Sequence, residues 1–424
     1  MSNAPFEAFP RRAGHLCVED RPVAEIVSQV GTPVYLYSTG ALLHAYDRLA
    51  EAFSACPHLI CYAIKANMNL AVVNTLVRRG AGIDVTSRGE LFRALAAGAD
   101  AKKIVYSGVG KRDDEIQAAL EAGIKLFNIE SRAELRHIDA VAGALGVRAP
   151  IAFRVNPDVD PKTHPYISTG LRTSKFGVPI GEAVDAYAEA KALPNIEVVG
   201  VDCHIGSQLV SIEPFADALG LVRDLVAELR AAGHGIEIID VGGGLGVTYA
   251  EEVPPAPRAY AAAVQAAVGD LGCEIVLEPG RSLTANAGIL VTRVLYTKGS
   301  DDKNFVVVDS AMNDLLRPAL YGSYQRVEPV GPARTGVQKV DIVGPVCESG
   351  DFLAKDRSFP SVEEGDLLAV RSAGAYGFAM SSNYNGRPRA AEVLVRGDRF
   401  AVVREREALE DLVRGETIPE GLTS

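Results

Sequence analysis

Between residues 59 and 280 the chain alternates short β-branched runs with longer stretches in which apolar residues recur every three or four positions. The short runs are Leu59–Ile64, Gly82–Val85, Lys103–Tyr106, Lys125–Ile129, Ile151–Val155, Glu197–Cys203, Glu237–Val241 and Glu274–Leu277. Each has the length of a strand, and the stretches between them have the period of a helix. After Ser211, for example, Phe215, Leu219, Val222, Val226 and Leu229 fall on one face, with Ser211 placed to cap the start and Gly233 to close the end. Mostly apolar strands alternating with helices, in a count of eight, predict an α/β fold: a TIM-type (β/α)8 barrel, with a doubly wound open sheet as the rival.

After about residue 290 the rhythm changes. Leu290–Tyr296, Asn304–Asp309, Val340–Val343, Asp366–Val370, Glu392–Val395 and Arg399–Val403 read as strands with turns between them, which predicts a separate all-β domain. A further short strand, Leu16–Glu19, precedes the barrel. The expected organisation is therefore an N-terminal segment 1–32 that joins the β domain, a barrel over 33–288 and the β domain over 289–424. The longest irregular stretch, Asn156 to Gly177, is too long for a plain connector and reads as an active-site loop or lid.

Composition narrows the class. The 424 residues are 48% hydrophobic and 23% charged, enough to bury a large core, and the 43 basic against 54 acidic side chains leave a net charge of −11. A bulk field of that sign does not suit nucleic acid, so any anionic ligand must be held by a local cluster of donors. Six cysteines, at 17, 56, 61, 203, 273 and 347, form no C-x-x-C pair and suggest neither a metal site nor a disulfide framework. The N-terminus lacks a basic region followed by an apolar stretch, and no window is apolar enough to span a membrane, so a cytoplasmic protein is expected.

Functional groups of a barrel collect at the C-terminal ends of its strands, and the unusual residues here do so. Lys65 follows the first run, where burial would push its amine toward the free, nucleophilic form. Asp84, His204, the Gly242-Gly243-Gly244 run and Glu278 stand at later strand ends. The glycines expose backbone N–H groups suited to a phosphate. They are not a dinucleotide fingerprint, because the third glycine would fall on Val247, and they lack the Gly-Lys of a P-loop. Taken singly, each has a structural alternative: a surfacing lysine, a plain turn, a core histidine, an acid paired with nearby Arg281. A lysine, a phosphate-sized nest, a flat imidazole and a buried acid on one rim suit a Schiff-base phosphate cofactor.

Five motifs in order, Tyr-Ala-Ile-Lys-Ala-Asn at 62–67, His-Ile-Gly-Ser-Gln at 204–208, Gly-Gly-Gly-Leu-Gly at 242–246, Glu-Pro-Gly-Arg-Ser at 278–282 and Cys-Glu-Ser-Gly-Asp at 347–351, resemble the fold type III decarboxylases that depend on pyridoxal 5'-phosphate. The resemblance is greatest to the branch acting on diaminopimelate and runs from Gly31 to Arg389. It implies an alanine-racemase-like barrel followed by a β domain. Lys65 matches the lysine bonded to the cofactor and His204 the imidazole stacked on its ring. Ser207, Gly243, Gly244 and the Gly280-Arg281 backbone match the phosphate cradle, Tyr376 a phosphate contact from the β domain, and Asp84 a group beside the ring. Glu278 matches the acid that keeps the pyridine nitrogen protonated.

For the substrate, the resemblance implies Arg281, Arg317 and Tyr321 around a distal carboxylate and Glu348 on a distal ammonium, with Tyr376 also at the substrate. The implied reaction turns meso-2,6-diaminopimelate into L-lysine and CO2, the last step of lysine biosynthesis by that route. The proton returned to Cα comes from Cys347 or Lys65. A homodimer with shared active sites is implied as well, Cys347 and Glu348 reaching the partner's barrel. The alternatives are a decarboxylase of this fold acting on arginine, ornithine or a carrier-bound amino acid, and a non-catalytic pyridoxal-phosphate-binding relative.

Overall fold

The structure, a computed structural model, describes residues 6–159, 175–300 and 303–422. The chain divides into two compact units, residues 42–284 and residues 1–41 with 285–424. No helix among the described residues is long and apolar enough to cross a membrane.

Unit 42–284 is the barrel. Its strands are β1 (His58–Ala63), β2 (Gly82–Val85), β3 (Ile104–Tyr106), β4 (Leu126–Ile129), β5 (Ala149–Asn156), β6 (Ile196–Asp202), β7 (Ile238–Asp240) and β8 (Glu274–Leu277). Neighbours pair in parallel around the ring, and β8 closes on β1 through Ile275 against His58 and Val276 against Leu59. All eight apolar runs are thus strands of one closed sheet, which excludes the open doubly wound alternative. Side chains alternate faces along a strand, so residues two apart share a side. Leu59, Cys61, Val105, Leu126, Ala152, Ile238 and Val276 form one apolar cluster. Two positions further along several of these strands, on the same side of the pleat, come Ser107, Asn128, Arg154, Asp240 and Glu278, all buried. An apolar layer therefore carries a polar layer above it, toward the strand C-termini.

The helix after Ser211 spans Glu213–Ala231 and buries Phe215, Leu219, Val222, Val226 and Leu229 as its spacing predicts. Its start differs from expectation. Ile212 occupies the cap without a side-chain hydrogen bond, and Pro214 sits in the first turn, where its missing N–H and fixed φ suit the helix start. Gly233 follows the C-terminal end at φ +80°, its N–H donating to the Arg230 carbonyl.

The other unit is built on the long strand Gly288–Gly299, which pairs antiparallel with Val34–Ser38, Asn304–Val308 and Leu367–Val370. Val34–Ser38 pairs in turn with Ala391–Arg396. Residues 33–41 accordingly belong to the β unit and not to the head of the barrel, because Val34, Tyr35 and Leu36 bury both faces of a central strand there. His15–Val18 lies in the same unit, in a small sheet between Arg11–Arg12 and Arg21–Pro22. Segment 160–174 of the expected lid lies outside the described residues; just beyond it, Val178–Pro179 adds a short parallel pairing to Val155 and Asn156.

Candidate active site

In the barrel, β1 ends in a single 3-10 turn, Ile64–Ala66, that carries Lys65 out of the apolar run. The Lys65 ammonium meets Asp84 Oδ2 at 2.7 Å, with Asp84 fully buried and the lysine side chain 41% exposed. Lys65 is therefore held by an ion pair, whereas the sequence suggested desolvation. The second carboxylate oxygen, Asp84 Oδ1, is buried and has no hydrogen-bond partner among the described residues.

His204 follows β6. Its Nδ1 accepts the Gly243 N–H at 3.0 Å, which assigns the proton of the neutral ring to Nε2. Burial first, then the nearby Arg154 and Lys65 charges, hold this imidazole well below the usual histidine range, so it is uncharged at neutral pH. The glycine run packs so tightly that side chains are barred. A Cβ on Gly242, which has φ +64°, would stand 2.5 Å from His204 Nδ1, and one on Gly243 would stand 2.4 Å from the Glu278 carbonyl oxygen. The loops after β6 and β7 are stitched together: Leu209 N donates to Gly244 O, Gly246 N to Leu209 O, and the Gln208 amide bonds both the N–H and the carbonyl of Val247. Ser207 lies in the first of these loops, and Gly280 with Arg281 opens the short helix Arg281–Thr284. A small cleft is lined by Gly242, Gly243, Gly244, Leu245, Pro279 and Ser282.

Glu278 lies deeper. Its Oε1 accepts from Ser107 Oγ at 3.1 Å and from Asn128 Nδ2 at 3.2 Å. Burial, followed by the neighbouring Asp240 and Asp84 carboxylates, pushes its pKa well above the carboxylate range. Asp240 is pushed up by burial and then by the Asp202 charge, and Asp202 by burial and then by the Glu278 charge. Arg154 donates to Glu130 Oε1 and to the His204 carbonyl. Arg281 donates Nη1 to the Tyr249 hydroxyl at 2.7 Å, and Tyr249 sits in a turn whose N–H groups are taken by the Glu252 carboxylate. Ser107, Asn128, Arg154, Asp240, Gln208 and Tyr249 were not singled out from the sequence. Asn128 left the clearest signal, an amide inside an apolar strand.

In the β unit, Arg317 is buried and opens the short helix Arg317–Tyr321; its guanidinium carbon lies 5.4 Å from the Tyr321 ring centroid and 5.9 Å from that of Tyr376. The structure thus brings these three residues together. Cys347 and Glu348 are exposed on a loop tied down by Asp351, which accepts from Val346 N and Met312 N. The Cys347 N–H donates to Asn385 Oδ1.

Residues 39–285 match the family described as "Pyridoxal-dependent decarboxylase, pyridoxal binding domain". The chain is 53% identical to a diaminopimelate decarboxylase of Vibrio cholerae over 405 residues, 94% of this chain and 96% of that one. It is 52% identical to another from Pseudomonas aeruginosa over 413 residues, 97% and 99% of the two chains. The chain belongs to the diaminopimelate decarboxylase family. Among solved structures, the diaminopimelate decarboxylase of Helicobacter pylori complexed with L-lysine matches with a TM-score of 0.90 and 44% identity, covering 92% of this chain and 98% of that one. Membership of this family makes the chain a pyridoxal-phosphate-dependent decarboxylase. Its residues fit that cofactor: glycine N–H groups without side chains suit a phosphate, Asp84 Oδ2 holds the Lys65 amine, and a buried acid suits a ring nitrogen.

Proposed function

We propose that the chain decarboxylates meso-2,6-diaminopimelate to L-lysine and CO2. The observation that carries the reading is the extent of the likeness: it covers 97% of the chain, so it takes in the β unit with Arg317, Cys347 and Glu348 as well as the barrel. Pyridoxal phosphate, when bonded through Lys65, supplies a sink for the electron pair left as CO2 departs. The chain's own groups prepare that event. Asp84 keeps the Lys65 amine in place. Ser207, Gly243, Gly244 and the Gly280-Arg281 backbone hold the phosphate, assisted by Tyr376. Glu278 would hold a proton at the ring nitrogen, and the uncharged His204 would offer the ring a flat imidazole without adding a cation.

Substrate choice falls to Arg281, Arg317 and Tyr321, whose donors suit a distal carboxylate, and to Glu348 for the distal ammonium. A guanidinium fork selects a carboxylate that ornithine and arginine lack at that end. Cys347 or Lys65 returns the proton to Cα. The working unit is a homodimer in which the exposed Cys347 and Glu348 of one subunit complete the barrel of the other. The setting is cytoplasmic, where the six free cysteines stay reduced. The test is product analysis. Protein loaded with pyridoxal phosphate and given meso-diaminopimelate should release L-lysine and CO2 in equal amounts; CO2 without lysine, or neither product, would overturn the reading.

A further inference from the structure

In the polar layer of the barrel, Asn128 touches Glu278 directly and the glycine run through a second acid. Asn128 lies on β4, fully buried, and its Nδ2 is 3.2 Å from Glu278 Oε1 and 3.0 Å from Asp240 Oδ2. Asp240 in turn accepts the Gly242 N–H at 2.9 Å through Oδ1. An unbroken path therefore runs from the acid through one amide and a second acid to the glycine run. In this orientation the amide nitrogen faces Glu278, Asp240 and the Ser107 oxygen, all of which can accept from it. Its own Oδ1 is buried without a partner among the described residues, a cost that accompanies giving the amide hydrogens to the acids.

The consequence for Glu278 is geometric. Asn128 and Ser107 both donate to Oε1, and among the described residues Oε2 accepts nothing. A carboxylate pinned through one oxygen presents the other. Donors on Oε1 also favour the anion, against burial and the Asp240 charge, which favour the protonated acid. In either state of the acid, Oε2 is the oxygen left to share a proton with a basic nitrogen placed opposite it.

We propose that Asn128 is a positioning residue for this decarboxylase: it presents Glu278 Oε2 to the ring nitrogen and, through Asp240, fixes that acid to the Gly242–Gly244 loop at the phosphate end. The inference rests on the proposed role of Glu278 and goes beyond it by assigning what sets the state and aim of that acid. Ser107 is the second donor and acts on the same oxygen, without the link to the loop.

The experiment compares wild type, Asn128→Leu, Ser107→Ala, Glu278→Gln and the two double variants carrying Glu278→Gln. For each, kcat and KM for meso-diaminopimelate and the Kd for pyridoxal phosphate are measured on the full-length protein. Asn128→Leu should lower kcat by ~10–100-fold, the usual size of a supporting-shell loss, with KM within about twofold and the pyridoxal phosphate Kd raised by roughly tenfold or more. Ser107→Ala should lower kcat by a smaller factor, roughly 3–10-fold, and leave Kd unchanged, since it does not reach the glycine loop. In the Glu278→Gln background each should add less than about threefold, because a residue acting through Glu278 has nothing left to act on. If Asn128→Leu does not fold, Asn128→Ala and its Glu278→Gln double variant, which remove the same donors with a smaller side chain, decide. A normal kcat in Asn128→Leu and Ser107→Ala, or full additivity with Glu278→Gln, overturns the inference while a slow Glu278→Gln leaves the role of Glu278 standing. A Glu278→Gln enzyme with unchanged kcat overturns both.

Discussion

At the scale of single residues, the barrel mouth is organised by pairing charged groups with one partner and leaving one atom open. Among the described residues, Lys65 is tied to Asp84 Oδ2 while Asp84 Oδ1 has no partner, and Glu278 is tied through Oε1 alone. Lys65 should therefore be the lysine that bonds pyridoxal phosphate. Borohydride treatment of the yellow holoenzyme followed by peptide mapping should place the label on Lys65; a label on Lys175 or any other lysine would contradict the assignment. Arg317 is buried, with its guanidinium carbon 5.4 Å from the Tyr321 ring centroid and 5.9 Å from that of Tyr376. Arg317→Lys should raise KM for meso-diaminopimelate by ~10–100-fold and leave the visible spectrum alone, since a point charge cannot replace two parallel N–H donors. A wild-type KM would remove Arg317 from the substrate site. Lys65, Asp84, His204 and Glu278 were legible because each ends an apolar run where a polar side chain is costly unless used. Ser107, Asn128 and Asp240 were not, because one polar residue in a buried strand is ordinary until its neighbours across the ring are known.

At the scale of elements, the eight strands were legible because a strand buried on both faces must be apolar throughout, and that is a short, sharp signal. Phe352–Pro360 was not, since it carries exposed Lys355 and Asp356 in its middle and resembles a loop in sequence. Val34–Ser38 pairs with strands more than 250 residues away, a partnership that no local pattern contains. The cap of Glu213–Ala231 went to Ile212 and not Ser211 because Pro214 sets where the first turn begins. The glycine run is the element with the most direct functional consequence. Gly243→Ala places a methyl 2.4 Å from the Glu278 carbonyl, a backbone atom that cannot swing away. The loop must shift, and the pyridoxal phosphate Kd should rise by at least ~10-fold with the secondary-structure content unchanged. An unaltered Kd in equilibrium titration would show that this loop does not hold the phosphate.

At the scale of the whole molecule, groups proposed to act on one substrate are divided between two units of the chain, Lys65, Asp84, His204 and Glu278 in one and Arg317, Tyr321, Cys347 and Glu348 in the other. If Glu348 serves the partner's barrel, Lys65→Ala and Glu348→Ala should each be nearly inactive and should rescue each other on subunit exchange. Random reassortment gives half heterodimers with one intact site of two, hence up to about a quarter of wild-type activity. Baseline activity despite demonstrated exchange would confine both residues to their own chain. The order of the two units along the sequence was legible, because the change from βα to ββ rhythm near residue 290 is a change of period. What joins them in one reaction is a matter of substrate chemistry, and there the account is most exposed. The decisive measurement is kcat/KM of the pyridoxal-phosphate-loaded protein for meso-diaminopimelate, L-ornithine and L-arginine, side by side. A site whose buried donors expect a distal carboxylate should favour meso-diaminopimelate by at least ~10³-fold. Comparable or better turnover of ornithine or arginine would contradict the account.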